Sequence, residues 1–144
     1  MRKKGFTLVE LLVVVALVGS LGGVFLTQFP ASQKRTRDTQ RSNDLKQFQT
    51  ALEAYANRNT GLYPIFVTMD ADGLCPTLGS VGCSKDPRSD KGHESYKYQS
   101  DAGGLNFVLW ARFEIDDIYF IICSDGDVGE LASPIVVNDG VCPL

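Results

Sequence analysis

Glu10 is the only charged residue in an apolar run that extends from Phe6 to about Phe29. A charged side chain at the centre of a membrane helix costs about 2.5–3.5 kcal/mol, and less near an end. Such a carboxylate needs a cation, and the run itself holds no Lys or Arg. Arg2, Lys3 and Lys4 come just before it, followed by Gly5. A cut after Gly5 would create the missing cation, the free amine of Phe6. Phe6 and Glu10 are four residues apart, so they share one helix face about 6 Å apart along the axis. An ammonium and a carboxylate that meet in apolar surroundings satisfy each other, whereas either one alone is costly. The alternatives are that Glu10 reaches the headgroups or pairs within its own chain.

The element that positions these groups is the run itself. About 24 residues of helix rise about 36 Å, enough to span a bilayer. An ordinary secretory signal fits the basic start. It does not fit an acid at the head of the apolar region, or Thr27-Gln28-Phe29-Pro30-Ala31-Ser32, which offers no small-x-small cleavage site. A lipoprotein signal is excluded because the first cysteine is Cys75. Gly19, Gly22 and Gly23 interrupt the run, either as a close-packing face or as a weak stretch, and Pro30 closes it. Basic residues flank both ends, so charge alone does not orient the segment. The cysteines favour an oxidising outside for the C-terminal part of the chain.

Lys4-Gly5-Phe6-Thr7-Leu8-Val9-Glu10 followed by this run resembles the N-terminus of type IV pilins and the related pseudopilins. The resemblance implies a leader of residues 1–5 removed by a prepilin peptidase after Gly5, with methylation of Phe6. It also implies a transmembrane and filament-core helix over 6–29 and a head over 30–144, with Glu10 neutralising the Phe6 amine of a neighbouring subunit. The implied partners are further copies of the chain in a helical filament, an assembly ATPase, a platform protein and the cytoplasmic membrane. The filament is then extracellular, or a periplasmic or cell-wall-spanning pseudopilus in the secretion and competence variants. The likeness is strong over residues 4–64 and only suggestive beyond.

Composition narrows the partners. The formal charge of −3 becomes −6 once Arg2, Lys3 and Lys4 are removed, which argues against general affinity for nucleic acid. Lys34, Arg35, Arg37 and Arg41 form a basic cluster, which reads as a solvated helix face pairing with Asp38 and Asp44. Beyond the run, about 114 residues suffice for one small domain. Cys75, Cys83, Cys123 and Cys142 admit three pairings. With no C-x-x-C and one histidine, zinc is not expected. Sequence-near pairing, Cys75–Cys83 and Cys123–Cys142, is the expectation, and in many pilins the C-terminal segment is closed by such a bridge.

The pattern from about Ser32 to Asn57 is helical, with Leu45, Phe48, Leu52 and Tyr55 three or four apart and Asn57–Gly61 as a stop. One long helix, apolar in its first half and amphipathic in its second, is predicted. Residues 58–95 read as irregular and stapled loop. Tyr96 and Tyr98 suggest a short strand. Leu105, Phe107, Leu109, Ala111 and Phe113 alternate with polar or opposite-facing residues and should face the helix. Ile118–Cys123 is a second strand, turning at Asp125-Gly126 into Val128–Leu131, and Pro134–Val137 is a possible edge. One helix over an antiparallel sheet of three or four strands is an α+β architecture, which the resemblance narrows to the pilin fold. Val108 and Trp110 lie on the face away from the helix, where they form a contact patch unless loop 58–95 folds over them.

Asp125, Asp127 and Glu130 gather carboxylates near one turn, a possible calcium site, and the major pseudopilins of type II secretion do bind calcium in a C-terminal loop. Asp-Gly is also ordinary hairpin chemistry, and no other cofactor is expected. His93, in a polar loop without a nucleophile placed by any recognisable motif, reads as solvated, and an enzyme is not expected. The reading is thus a structural pilus subunit. The alternatives are a secretion or competence pseudopilin, or a membrane-tethered binding module that never polymerises and uses loop 58–95 and the Trp110 face.

Overall fold

The computed structural model describes residues 5–79, 83–132 and 139–144, except for the side chains of 24–28. The leader residues 1–4 and the possible edge Pro134–Val137 lie outside that set. The chain divides into two units, Met1–Lys34 and Arg35–Leu144. Helix α1 runs Leu8–Arg58 with Pro30 inside it, where the bond that a backbone N–H would donate to the carbonyl four residues back is missing. In the first unit its large apolar side chains from Leu8 to Leu21 are all exposed. Among the described residues no helix is long and apolar enough to cross a membrane. The expected span, 6–29, includes the five side chains that are not described.

The second unit is built on a five-stranded antiparallel sheet in the order β1-β2-β3-β4-β5. The strands are β1 (Met69–Asp70), β2 (Lys97–Ser100), β3 (Phe107–Arg112), β4 (Tyr119–Cys123) and β5 (Val128–Leu131). The second half of α1 lays Leu45, Phe48, Ala51 and Leu52 on one sheet face, against Tyr96, Tyr98, Phe107, Leu109, Ala111 and Ile122. This α+β arrangement is a pilin-type fold. It contains one more strand than the sequence predicts, because the two-residue β1 is held by its pairing to β2 and carries too little pattern to read. Loop 58–95 is also less irregular than its composition suggests. A 3-10 turn (Ala71–Leu74) and α2 (Cys75–Leu78) bury Ala71, Leu74 and Leu78 in the helix-side core. Their spacing of three and four is helical, though Gly, Pro and Cys surround it. Of the five residues expected to face the helix, Leu105 is exposed in the β2–β3 turn, and Phe113 lies beyond the end of β3, stacked on Phe120.

Val108 and Trp110 are not an open patch. Both are buried with Ile121 and Cys123, and Tyr119, Leu131 and Cys142 pack against them. The C-terminal segment therefore contributes to their cover.

The basic cluster also departs from its expected role. Lys34 and Arg35 are exposed, but Arg41 has a fully buried side chain. Its guanidinium donates to Asp38 (2.6 Å), to the carboxylate of Asp86 and to Glu114 (2.8 Å). Arg37 grips Glu114 with two bonds of 2.7 and 2.6 Å, and Arg88 adds another at 3.0 Å. Asp38 also accepts the backbone N–H groups of Glu114 and Ile115. Asp44, the other expected partner, accepts the Tyr96 hydroxyl at 2.7 Å. His93 is not solvated, since its Nδ1 lies 3.5 Å from Asp86 and its side chain is mostly covered. The cluster ties α1 to loop 83–95 and to the β3–β4 connection.

The Arg37 bonds, opposed by burial and reinforced by Arg41 and Arg88, hold the Glu114 carboxyl far below the usual carboxylate range. Burial weighs against the charge on Arg41, but its bonds to Asp86, Glu114 and Asp38 outweigh that and leave its pKa raised.

This packing makes two substitutions costly. Phe48→Ala, at a fully buried position, should cost about 3–5 kcal/mol, as read by urea unfolding. Arg41→Ala strands the Asp38, Asp86 and Glu114 carboxylates and should cost about 3–5 kcal/mol in the same assay. The acid limb tests Glu114 separately. A depressed folded pKa gives stability that is present above the unfolded value, about 4.3, and is lost as pH falls below it. The melting temperature should drop below about pH 4 in the parent and fall less steeply in Glu114→Gln.

Candidate functional site

Gly5 and Phe6 precede α1 in non-helical backbone, and Phe6 is exposed. Space beside Gly5 is open. The bond between them therefore lies in exposed, non-helical backbone.

Thr7 caps the helix. Its Oγ1 accepts the backbone N–H of Glu10 at 3.3 Å, while Glu10 Oε2 accepts from the Thr7 N–H at 3.0 Å and from the Thr7 hydroxyl at 2.8 Å. This is a reciprocal capping box, and it also sets a carboxylate at the positive end of the helix dipole. Sequence reasoning assigns Thr7 no role. The signal that finds it is Thr7-Leu8-Val9-Glu10, the S/T-x-x-E spacing of such boxes. In a single chain Glu10 is thus satisfied locally through hydrogen bonds, while its charge stays uncompensated among the described residues.

The acidic turn does not assemble as a three-carboxylate site. Asp125 and Asp127 share a tight turn, in which the Asp127 N–H donates to Asp125 Oδ1 at 3.1 Å. Glu130 lies opposite Phe120 in the β4–β5 ladder, on the helix side of the sheet. Opposed residues of an antiparallel pair share a face, which separates Glu130 from the turn. Among the described residues the ligating atoms that converge are those of Cys123, Asp125 and Cys142. Both of those sulfurs are committed to a disulfide, Cys123–Cys142, and a second disulfide joins Cys75 to Cys83.

The family model described as the prokaryotic N-terminal methylation motif matches residues 1–26. The type IV major fimbrial protein FimA of Dichelobacter nodosus is 28% identical over 105 residues, covering 69% of this chain and 66% of that protein. The type IV major pilin protein PilA of Myxococcus xanthus is 35% identical over 54 residues, covering 38% of this chain and 24% of that protein. Type II secretion system protein H of Klebsiella michiganensis is 42% identical over 53 residues, covering 37% of this chain and 27% of that protein. The chain thus spans less than two thirds of the length of these curated relatives. No solved structure matches. Its N-terminal motif and these matches make the chain similar to type IV pilins and pseudopilins.

Proposed function

We propose that this chain is a structural subunit of a type IV pilus. A prepilin peptidase cuts it after Gly5 and methylates Phe6. It waits in the cytoplasmic membrane on residues 6–29, and an assembly ATPase and platform protein then add it to an extracellular filament. The observation that carries this reading is the first part of α1, which exposes apolar side chains from Leu8 to Leu21 around one carboxylate, Glu10. Such a surface is costly in water and is covered either by lipid or by other copies of the same helix. Pairing Glu10 with the Phe6 amine of a neighbour sets the register between copies. The work is structural, with no reaction catalysed by this chain.

A second reading is a pseudopilin of type II secretion, supported by the likeness to secretion protein H. The two readings share processing and assembly and differ in where the filament ends.

Glu10→Gln separates the two roles of Glu10. Glutamine can keep the capping box, since Gln serves at that position, but it carries no charge. The expected result is normal cleavage and membrane insertion, with at least tenfold less subunit in filaments, tenfold being only about 1.4 kcal/mol of pairing. Normal incorporation of Glu10→Gln would overturn the register mechanism. Thr7→Val, by contrast, removes the cap and keeps the charge. It should cost the helix start about 1 kcal/mol and leave filaments that form at a reduced level, read by immunoblot of sheared material.

A further inference from the structure

Among the described residues, Gly140, Cys142 and Leu144 each meet the rest of the head, the last two on the sheet face opposite α1. Gly140, at φ +72, sits so close to the β2–β3 turn that a Cβ there would lie 2.3 Å from the Asp101 nitrogen. Cys142 is bonded to Cys123. Leu144 rests on Gly129, where a Cβ would lie 2.7 Å from the leucine side chain.

The ladder explains the last contact. Trp110 opposes Ile121, and Ile121 opposes Gly129. Opposed residues share a face, so this row carries a tryptophan, an isoleucine and then a gap. Leu144 fills the gap and so supplies the side chain that β5 lacks. The adjacent row, Val108 opposite Cys123, is covered by Cys142. None of the pairings of β3, β4 and β5, and none of the helix-side core, uses residues 139–144.

We infer that residues 139–144 form a redox-operated clasp: the Cys123–Cys142 disulfide holds Leu144 in the Gly129 gap over the Trp110–Ile121 face, and its reduction bares that face without unfolding the head. Cys142 is partly exposed and Cys123 is buried, so Cys142 is the sulfur that an external thiolate reaches. A dithiol reductant attacks Cys142 Sγ, the bond to Cys123 breaks, and Cys123 leaves as a thiolate that takes up a proton. The second thiol of the reductant then displaces Cys142 and closes a cyclic disulfide. Two electrons and two protons pass from the dithiol to the protein.

Trp110 is the sole tryptophan and reports on the face directly. The test uses the full chain in detergent with Cys75→Ser and Cys83→Ser, so that one disulfide remains. Acrylamide quenching of Trp110 and the far-UV circular dichroism are recorded before and after dithiol treatment, and alkylation mass confirms two free thiols. The inference expects quenching to rise about threefold with the far-UV signal unchanged, as for a local opening. Unchanged quenching in the reduced protein would overturn it, because the segment would then stay docked without its bond. Loss of the far-UV signal would overturn it too, because the segment would then belong to the cooperative core.

A second variant covers the case in which the cysteine substitutions prevent folding. Leu144→Gly in the otherwise unaltered chain empties the gap beside Gly129. Reduction of Cys123–Cys142 should become about tenfold faster, with Cys75–Cys83 unaffected, as mapped by timed alkylation. An unchanged rate at Cys123–Cys142 would count against the clasp.

Discussion

Helix α1 has apolar surface to bury in both of its halves. From Leu45 to Leu52 it does so against the sheet of its own chain, whereas from Leu8 to Leu21 its large apolar side chains stand exposed. The second half is an ordinary amphipathic helix, with one face in the core and the other in water. The first half is apolar on every side, and a helix of that kind belongs in lipid or among other helices. One charge, Glu10, interrupts it, set in a capping box that satisfies its hydrogen bonds and leaves its charge available. Local satisfaction makes the single chain tolerable, and under the proposed function a cation supplied from outside would make association favourable. Processing after Gly5 would supply that cation as the Phe6 amine.

Within the head, α1 is fastened by charge as well as by apolar packing. Arg41 sits fully buried among Asp38, Asp86 and Glu114, and Arg37 and Arg88 complete the coordination of Glu114. Desolvating these groups is costly, and a well-packed apolar cluster of similar volume can be as stable. What the ionic version adds is geometry: each carboxylate accepts only certain donors, so helix, loop 83–95 and β3–β4 connection meet in one arrangement. The opposite sheet face closes by other means, a disulfide and a leucine seated over a glycine.

Much of this was legible in the residues. The core stripe Leu45, Phe48 and Leu52, the inward set Phe107, Leu109 and Ala111, and the turn at Asp125-Gly126 all follow local periodicity or turn chemistry, which a single sequence carries. The role of Arg41 was not, because its partners at 86 and 114 are distant in sequence. A hint existed, since Asp38 and Arg41 continue the three-and-four spacing of the buried stripe by two turns. Charged residues on an apolar stripe signal a buried ion cluster as readily as the stripe's end. Thr7 was legible as half of a capping box, but the charge of Glu10 points to distant partners first. The covering of Val108 and Trp110 could not be read in full, because part of it comes from Cys142, which is distant in sequence from the strand that it covers.

The central claim is that this chain is cut after Gly5 and then buries the exposed half of α1 among copies of itself. The intact mass of the protein in material sheared from the cell surface tests that claim most directly. The account predicts a chain lacking Met1–Gly5, carrying one methyl group on Phe6 and retaining both disulfides. An uncut chain, found only in the membrane fraction, would contradict it.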